Sequence, residues 1–311
     1  MFCTARVPVV AAILVLSGCS VISPMAATAA TAVAAVRTTA TLQSPSGRAI
    51  DVQLLHPSGG CRGCPLVIFS HGANAAPDRY DVLLEAWARG GWVVAAPLHV
   101  DSEDHPERAK YQPTESLALR LEDYDAIATA FGTPGQSTLL KDVEFSGVVV
   151  AAGHSYGALI AQIAGGARLD ASFAPNVTRT PRPLAVVAIS PPGPIPNYVS
   201  SAGWSQVSVP QLVVTGTRDI VPGIAPEWQA HLVSYEAAPV GKAYGLVFDG
   251  MDHYFNGAYG REAPTDASAD QAVALLNERV VGFVEGLIAG VPDLHASWPA
   301  RSAGGVSSMM R

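Results

Sequence analysis

A single serine lies between two glycines at the end of an apolar run. The segment VVVAAGHSYGAL, residues 148–159, places Ser155 between Gly153 and Gly157. This G-x-S-x-G spacing is typical of a tight turn from a strand into a helix, which holds a nucleophilic hydroxyl clear of the sheet. The same letters also occur in ordinary Gly-rich turns, so the motif predicts a nucleophile only in the right structural context.

Two groups that could act with this serine follow apolar runs later in the chain. Asp219 comes after QLVVTG, and His253 comes after YGLVFDG. A serine hydroxyl needs a base within hydrogen-bond reach, and the imidazole needs a carboxylate that holds one tautomer. The chain order Ser, Asp, His is the order expected for such a set on an α/β sheet. We therefore predict that Ser155, Asp219 and His253 form a catalytic triad.

Each of these residues also has a simpler interpretation. His253 could be a surface histidine beside Asp252, and Asp219 could be a turn or helix-cap aspartate. If Asp219 is not the acid, Asp249 and Asp252 are the alternatives. The joint placement of all three groups after apolar runs, in the expected order, favours the triad.

The elements that must position these groups alternate between strands and helices. Apolar runs predict buried strands at residues 65–70, 92–97, 147–153, 184–190, 211–216 and 244–250. Helical patterns predict helices at 80–91, 115–132, after Ser155, at 225–238 and at 270–290, and an antiparallel hairpin is predicted at 38–57. This alternation predicts one α/β domain, a mostly parallel sheet with helices on both faces. Ligands bind at the carboxyl ends of such strands.

Four segments resemble a known family. VIFSHGANAAPDRYDVLLEAWARGGWVVAAPLH, GHSYG, VTGTRD and DGMDHYF resemble the dienelactone-hydrolase-like serine esterases of the α/β-hydrolase superfamily. That group is similar to platelet-activating-factor acetylhydrolases, chlorophyllases and cutinase-like polyester hydrolases, and the resemblance extends over about residues 38 to 290. It implies an α/β-hydrolase fold and hydrolysis through the serine. Dienelactone hydrolase itself has a cysteine where this chain has Ser155, so its lactone specificity is not implied.

The family mechanism also requires two backbone N–H donors for the oxyanion. Tyr156, directly after the serine, supplies one of them by the resemblance. The segment HGAN resembles the family's oxyanion loop, so the second donor is assigned to Ala73, with Gly72 as the nearby alternative.

Other polar residues near these motifs have structural interpretations. We expect the rings of His71 and His154 to hydrogen-bond neighbouring loops. His99 and Asp101 follow the predicted strand at 92–97, where they could border the pocket, but we favour a solvent-exposed polar loop.

The segment between Ser190 and Pro210 is too short for a helical cap domain. We therefore expect a shallow, solvent-accessible site. Trp204 and Tyr198 could border it, although a packing role is an equal alternative for each.

The N-terminus has the pattern of an export signal. Arg6 precedes an apolar stretch, and LSGC resembles the bacterial lipobox, in which Cys19 would be lipidated. We predict a signal peptide at 1–18, a flexible tether at 19–37 and an α/β-hydrolase domain at 38–311. Cleavage further downstream would instead give a free periplasmic or secreted protein, which we rank after the anchored lipoprotein.

Cysteine spacing supports an oxidising compartment. Cys61 and Cys64 form a C-x-x-C that could be a redox motif or half a zinc site, but no second cysteine pair follows. We predict a short-loop disulfide. The eight histidines show no metal-binding spacing, and Gly-rich nucleotide motifs are absent from the sequence, so we expect no metal and no cofactor.

The net charge of the chain limits the classes of partner that we expect. The 311 residues carry a formal charge of −7 without a Lys/Arg run, which argues against nucleic acid and anionic membrane surfaces. A lipid anchor would be the only membrane contact.

We hypothesise an exported hydrolase of short-to-medium-chain carboxylic esters, small or polymeric, acting through a Ser155 acyl-enzyme. An acyltransferase on the same triad and a non-catalytic binding lipoprotein are the alternatives. The sequence leaves the oligomeric state open.

Overall fold

Among the residues that the structure describes, ten strands form one mixed sheet. The computed structural model describes residues 1, 33–170, 179, 181–196, 198–261, 263–265, 267–292, 294 and 305–311. The strands are β1 (Ala35–Gln43), β2 (Ala49–Pro57), β3 (Cys61–Ser70), β4 (Val93–Pro97), β5 (Gly135–Gln136), β6 (Val143–His154), β7 (Ala185–Ile189), β8 (Gln211–Arg218), β9 (Ala243–Asp252) and β10 (Val306–Met310). Their order across the sheet is β1-β2-β4-β3-β6-β7-β8-β9-β10, and β5 pairs with β6.

The centre of the sheet is parallel and its edges are antiparallel. Strands β4, β3, β6, β7, β8 and β9 pair in parallel. The hairpin of β1 and β2 joins antiparallel at one edge, and β10 joins β9 antiparallel at the other. The predicted hairpin and the mostly parallel α/β sheet are therefore confirmed.

The helices are α1 (Asp81–Arg89), α2 (Ser116–Phe131), α3 (Tyr156–Ala164), α4 (Ser201–Trp204), α5 (Val233–Ala237) and α6 (Ala267–Ile288). They cover both faces of the sheet. On one face, β3 residues Val67 and Phe69 pack in a core cluster with apolar side chains of α1 and α6. On the other face, Leu66 and Ile68 pack with α2 and α3. Alternate residues of one strand thus enter opposite cores, which is why the central strands are continuously apolar.

Three details differ from the predictions. The expected helix at 225–238 is a 3-10 helix, Trp228–Leu232, followed by the short α5. Strand β10 was not predicted, because VSSMM has neither an apolar run nor a clear alternation and gains its order by pairing with β9. Residues 35–37, which we assigned to the tether, belong to β1, since Arg37 pairs with Leu55 across the hairpin.

The chain divides into Met1–Ala32 and Val33–Arg311. The predicted signal peptide and Cys19 lie outside the described residues, apart from Met1. Within the described part, no helix is both long and apolar enough to cross a bilayer.

The predicted disulfide between Cys61 and Cys64 is present at the start of β3. Between β7 and β8, the described residues contain one helix, the four-residue α4.

Candidate active site

The three predicted triad residues meet at the carboxyl edge of the sheet. Ser155 follows β6, Asp219 follows β8 and His253 follows β9. His253 Nε2 lies 3.0 Å from Ser155 Oγ, and His253 Nδ1 lies 2.7 Å from Asp219 Oδ1. With Nδ1–H donating to the carboxylate, Nε2 is free to accept the serine proton. The arrangement can therefore generate a nucleophilic alkoxide.

The two alternative acids do not reach the histidine ring. Asp249 accepts a hydrogen bond from Thr217 Oγ1, and the Asp252 carboxylate accepts bonds from the backbone of Tyr254 and Asn256. Asp219, in contrast, is fully buried and points at His253.

Backbone strain and two glycines hold Ser155 in place. Its φ of 54° and ψ of −119° lie in a region that non-glycine residues rarely adopt. The turn is tight because α3 packs directly against the end of β3. A Cβ on Gly157 would overlap with the backbone oxygen of Ser70, and a Cβ on Gly153 would overlap with the backbone of Gly157. The glycines of the motif are therefore required by the close approach of three backbone segments.

The Asp219 carboxylate is saturated with donors. Oδ1 contacts His253 at 2.7 Å and His231 Nε2 at 2.9 Å, and Oδ2 accepts from Thr215 Oγ1 at 2.9 Å. Burial alone would raise the pKa of this carboxyl group, but the close contacts and charges of His231 and His253 outweigh burial. The pKa of Asp219 is therefore held far below its usual range, and the group stays ionised.

Two backbone N–H groups next to Ser155 are unoccupied. Those of Ala73 and Tyr156 donate to no other group among the described residues, and both residues line one cleft. The alternative donor, Gly72, is occupied because its N–H bonds to Tyr80 Oη at 3.0 Å. The structure thus favours Ala73 over Gly72 as a potential oxyanion donor beside Tyr156.

A buried arginine fixes the loop that carries Ala73. The Arg120 guanidinium, on α2, donates to the backbone oxygens of His71 and Gly72. Both Nε and an Nη of Arg120 also donate to the Asp101 carboxylate, at 2.8 Å each. The same guanidinium lies 4.6 Å from the centre of the Tyr156 ring. Arg120 therefore contacts both the loop that carries Ala73 and the side chain of Tyr156. Sequence reasoning missed Arg120, because a helical arginine carries no signal of burial.

The rings of His71 and His154 are structural, as expected. His154 Nε2 donates to the backbone oxygen of His253 at 2.8 Å, and its Nδ1 accepts from Tyr80 Oη at 2.8 Å. Burial and the neighbouring His253 lower the pKa of His154 to about 3, so this ring stays neutral. His71 Nδ1 donates to the Gly72 oxygen, and its Nε2 accepts the His99 N–H.

A second Ser-His-Asp set lies inside the fold, with its serine at the end of β3, its histidine after β4 and its aspartate on α2. Ser70 Oγ is 2.7 Å from His99 Nε2, and His99 Nδ1 is 2.7 Å from Asp123 Oδ2. Ser70 is only 4% exposed and His99 only 1%, so this serine cannot meet a substrate. The preferred assignment of His99 to a solvent-exposed loop was wrong, because the side chain turns inward to bridge β3 and α2.

A cleft of about 770 Å³ opens beside Ala73 and Tyr156. Its opposite wall comes from the loop after β4, with Asp101, Arg108 and Tyr111 among the lining residues. Asp101, for which we favoured a solvent-exposed loop, therefore borders the cleft. Trp204 does not border it: the indole is fully buried, and its Nε1 donates to Gln162. Tyr198 approaches from the side, with its Oη 3.3 Å from Tyr156 Oη.

Within the described residues, one set of three carboxylate and imidazole groups has its ligand atoms within metal-binding distance of one another, namely Asp219, His231 and His253. The carboxylate touches both rings directly, at 2.9 Å and 2.7 Å. These direct contacts account for the cluster without a cation between the groups.

Comparisons with known proteins support the fold. No protein-family model matches the chain, and no curated protein sequence matches it. Similar solved structures include dienelactone hydrolase from Anabaena variabilis, with 15% identity and a TM-score of 0.54 over 78% of this chain and 96% of that one. Est1E from Butyrivibrio proteoclasticus with ferulic acid bound has 15% identity and a TM-score of 0.57, over 80% and 99%. An esterase from Pyrobaculum calidifontis has 16% identity and a TM-score of 0.52, over 80% and 85%.

These similarities show that the chain has the α/β-hydrolase fold, and they confirm that expectation from the sequence. The strand ends that carry Ser155, Asp219 and His253 are the ligand-binding edge of such a sheet.

The close approach at Gly157 predicts a stability effect. Gly157→Ala should lower the free energy of unfolding by roughly 1–3 kcal/mol, because the new Cβ must push α3 away from the Ser70 oxygen. Gly282→Ala is the matched control, since a Cβ at this position in α6 meets nothing within 4 Å, and alanine favours the helix. Urea denaturation measures both. Equal stability of the Gly157 variant and the unmodified protein would contradict this account of the turn.

Proposed function

We propose that this protein hydrolyses carboxylic esters through an acyl-enzyme on Ser155. The observation that supports this most directly is the continuous contact from Asp219 through His253 to Ser155, beside two unoccupied backbone N–H groups. His253 Nε2 takes the serine proton while Oγ attacks the ester carbonyl, and Asp219 stabilises the imidazolium. The N–H groups of Ala73 and Tyr156 bind the oxyanion. His253 then protonates the leaving alcohol, and water repeats the sequence on the acyl-enzyme.

The cleft beside the oxyanion donors suits a small-molecule ester. Its volume of about 770 Å³ lies within the range of ordinary ligand pockets. Polar groups such as Asn74, Arg108 and Gln112 share the lining with apolar ones such as Val100 and Pro113. Because charged and amide side chains interrupt the apolar lining, a long alkyl chain would contact polar groups as well, so we propose short-to-medium acyl groups. Ferulic acid is bound in the Butyrivibrio structure, so an ester of ferulic acid is one substrate to test.

The serine itself is tested by covalent labelling. A fluorophosphonate probe should modify the purified protein at Ser155, and Ser155→Ala should lose both the label and ester hydrolysis while keeping its fold. Peptide mapping of the modified protein supplies the internal control, because the buried Ser70 has a similar His-Asp pair yet should remain unlabelled. Label on Ser70, or a fully active Ser155→Ala variant, would refute the assignment.

Acyl preference is tested with graded p-nitrophenyl esters. We expect acetate to hexanoate to be turned over faster than palmitate, because each buried methylene contributes only about 0.8 kcal/mol and the polar side chains in the lining limit how many methylenes can be buried. The measurement is kcat/KM for each ester below and above its solubility limit. A clear optimum at palmitate, or a jump in rate at the solubility limit, would contradict the proposed pocket.

We also propose that the protein is exported and anchored through Cys19. The apolar N-terminal stretch, the LSGC segment and the Cys61–Cys64 disulfide support this. Mass spectrometry of the mature N-terminus should find a lipidated Cys19, and Cys19→Ser should abolish that modification. A mature chain that begins after Cys19 without lipid would instead indicate a free periplasmic or secreted protein.

A further inference from the structure

A second imidazole lies on the triad carboxylate. His231, in the 3-10 helix Trp228–Leu232, is 1% exposed, and its Nε2 lies 2.9 Å from Asp219 Oδ1. This is the oxygen that also accepts from His253. The 2.9 Å contact is an ion-pair contact and not a well-aligned hydrogen bond, since Nε2 makes no hydrogen bond of good geometry among the described residues. Neither the sequence motif nor the proposed triad assigns this side chain a role.

Both ring nitrogens of His231 face oxygen acceptors. Nδ1 lies 2.6 Å from the backbone oxygen of Pro191, and Nε2 faces the Asp219 carboxylate. A neutral imidazole has one N–H, so it would leave one nitrogen lone pair against an oxygen in a buried site. The imidazolium form donates from Nδ1 to the Pro191 oxygen and places a positively charged N–H, instead of a lone pair, in ion-pair contact with the Asp219 carboxylate. The pattern of acceptors therefore selects the charged ring.

The surrounding charges are consistent with this state. The His253 ring is 5.6 Å from the His231 ring, between centroids. The other titratable groups that face this cluster are His154, Tyr254 and Tyr259. Burial alone would lower the pKa of His231, but the close contact with the Asp219 carboxylate, its charge and the Pro191 oxygen outweigh burial and raise this pKa above its usual value.

We propose that His231 is a buried imidazolium that shares Asp219 with His253 and thereby sets the acid limit of catalysis, a role that rests on the proposed function. With His231 charged, protonation of His253 in the free enzyme would place a second cation on the same carboxylate. The charge on His231 and a charge on His253 therefore compete for the same carboxylate oxygen. His231 is a positioning residue, because it acts through Asp219 and does not touch the reacting atoms.

The pH profile of His231→Gln tests this role. Glutamine keeps an N–H donor but removes the charge, so Asp219 stabilises protonated His253 more strongly and the acid limb of kcat/KM should move to higher pH by roughly one pH unit. His56→Gln is the matched control, because His56 is also buried, next to a backbone oxygen of β2 but outside the triad cluster. Its acid limb should not move. A uniform loss of kcat/KM in His231→Gln, with an unmoved acid limb, would show a merely structural role and overturn the proposal.

A second measurement does not depend on activity or on the stability of the variant. In the unmodified protein, ring ¹⁵N NMR at about pH 6.5, the usual pKa of histidine, should find both nitrogens of His231 protonated. A ring with a single proton would overturn the proposal. Failure of the proposed function has a different signature, since Ser155 would then take no fluorophosphonate label whatever the state of His231.

Discussion

The close packing of α3 against the end of β3 is the constraint on which the site depends. Because Gly157 has no side chain, its backbone approaches the Ser70 oxygen, and this brings the serine turn beside the loop that follows β3. The free N–H groups of Ala73 and Tyr156 are neighbours for that reason. Arg120 then fixes the same junction from the side, through the backbone oxygens of His71 and Gly72. The positions of Ser155 and of the two N–H donors thus follow from one backbone contact.

The two Ser-His-Asp sets have similar hydrogen-bond geometry but different surroundings. Ser70 lies in the extended backbone of β3 and is buried, whereas Ser155 lies on a strained turn and is partly exposed. The carboxylates differ as well. Burial raises the pKa of Asp123 to about 6 despite its ion pair with Arg48, while Asp219 is held ionised. The Ser70 set therefore stabilises the base of the loop, and exposure and charge distinguish the Ser155 set from it.

The sequence predicted what depends on local pattern. Apolar runs identified the central strands, and the residues directly after three of them meet in space, because parallel strands place their carboxyl ends on one edge. The sequence did not predict side-chain contacts between segments that are far apart in the chain. Arg120 and His231 have ordinary helical surroundings in the sequence, and only the fold turns them inward. His99 was assigned to the solvent for the same reason.

Three histidines around Asp219 have different protonation states because their oxygen neighbours differ. His154 accepts a bond from Tyr80 Oη at one nitrogen and donates at the other, so it must be neutral. His231 faces two acceptors, which favours the charged form. His253 has a carboxylate at Nδ1 and a hydroxyl at Nε2, and a hydroxyl can either donate or accept. Of the three rings, His253 is therefore the one whose neighbours tolerate both protonation states, which is the property that the proposed general base requires.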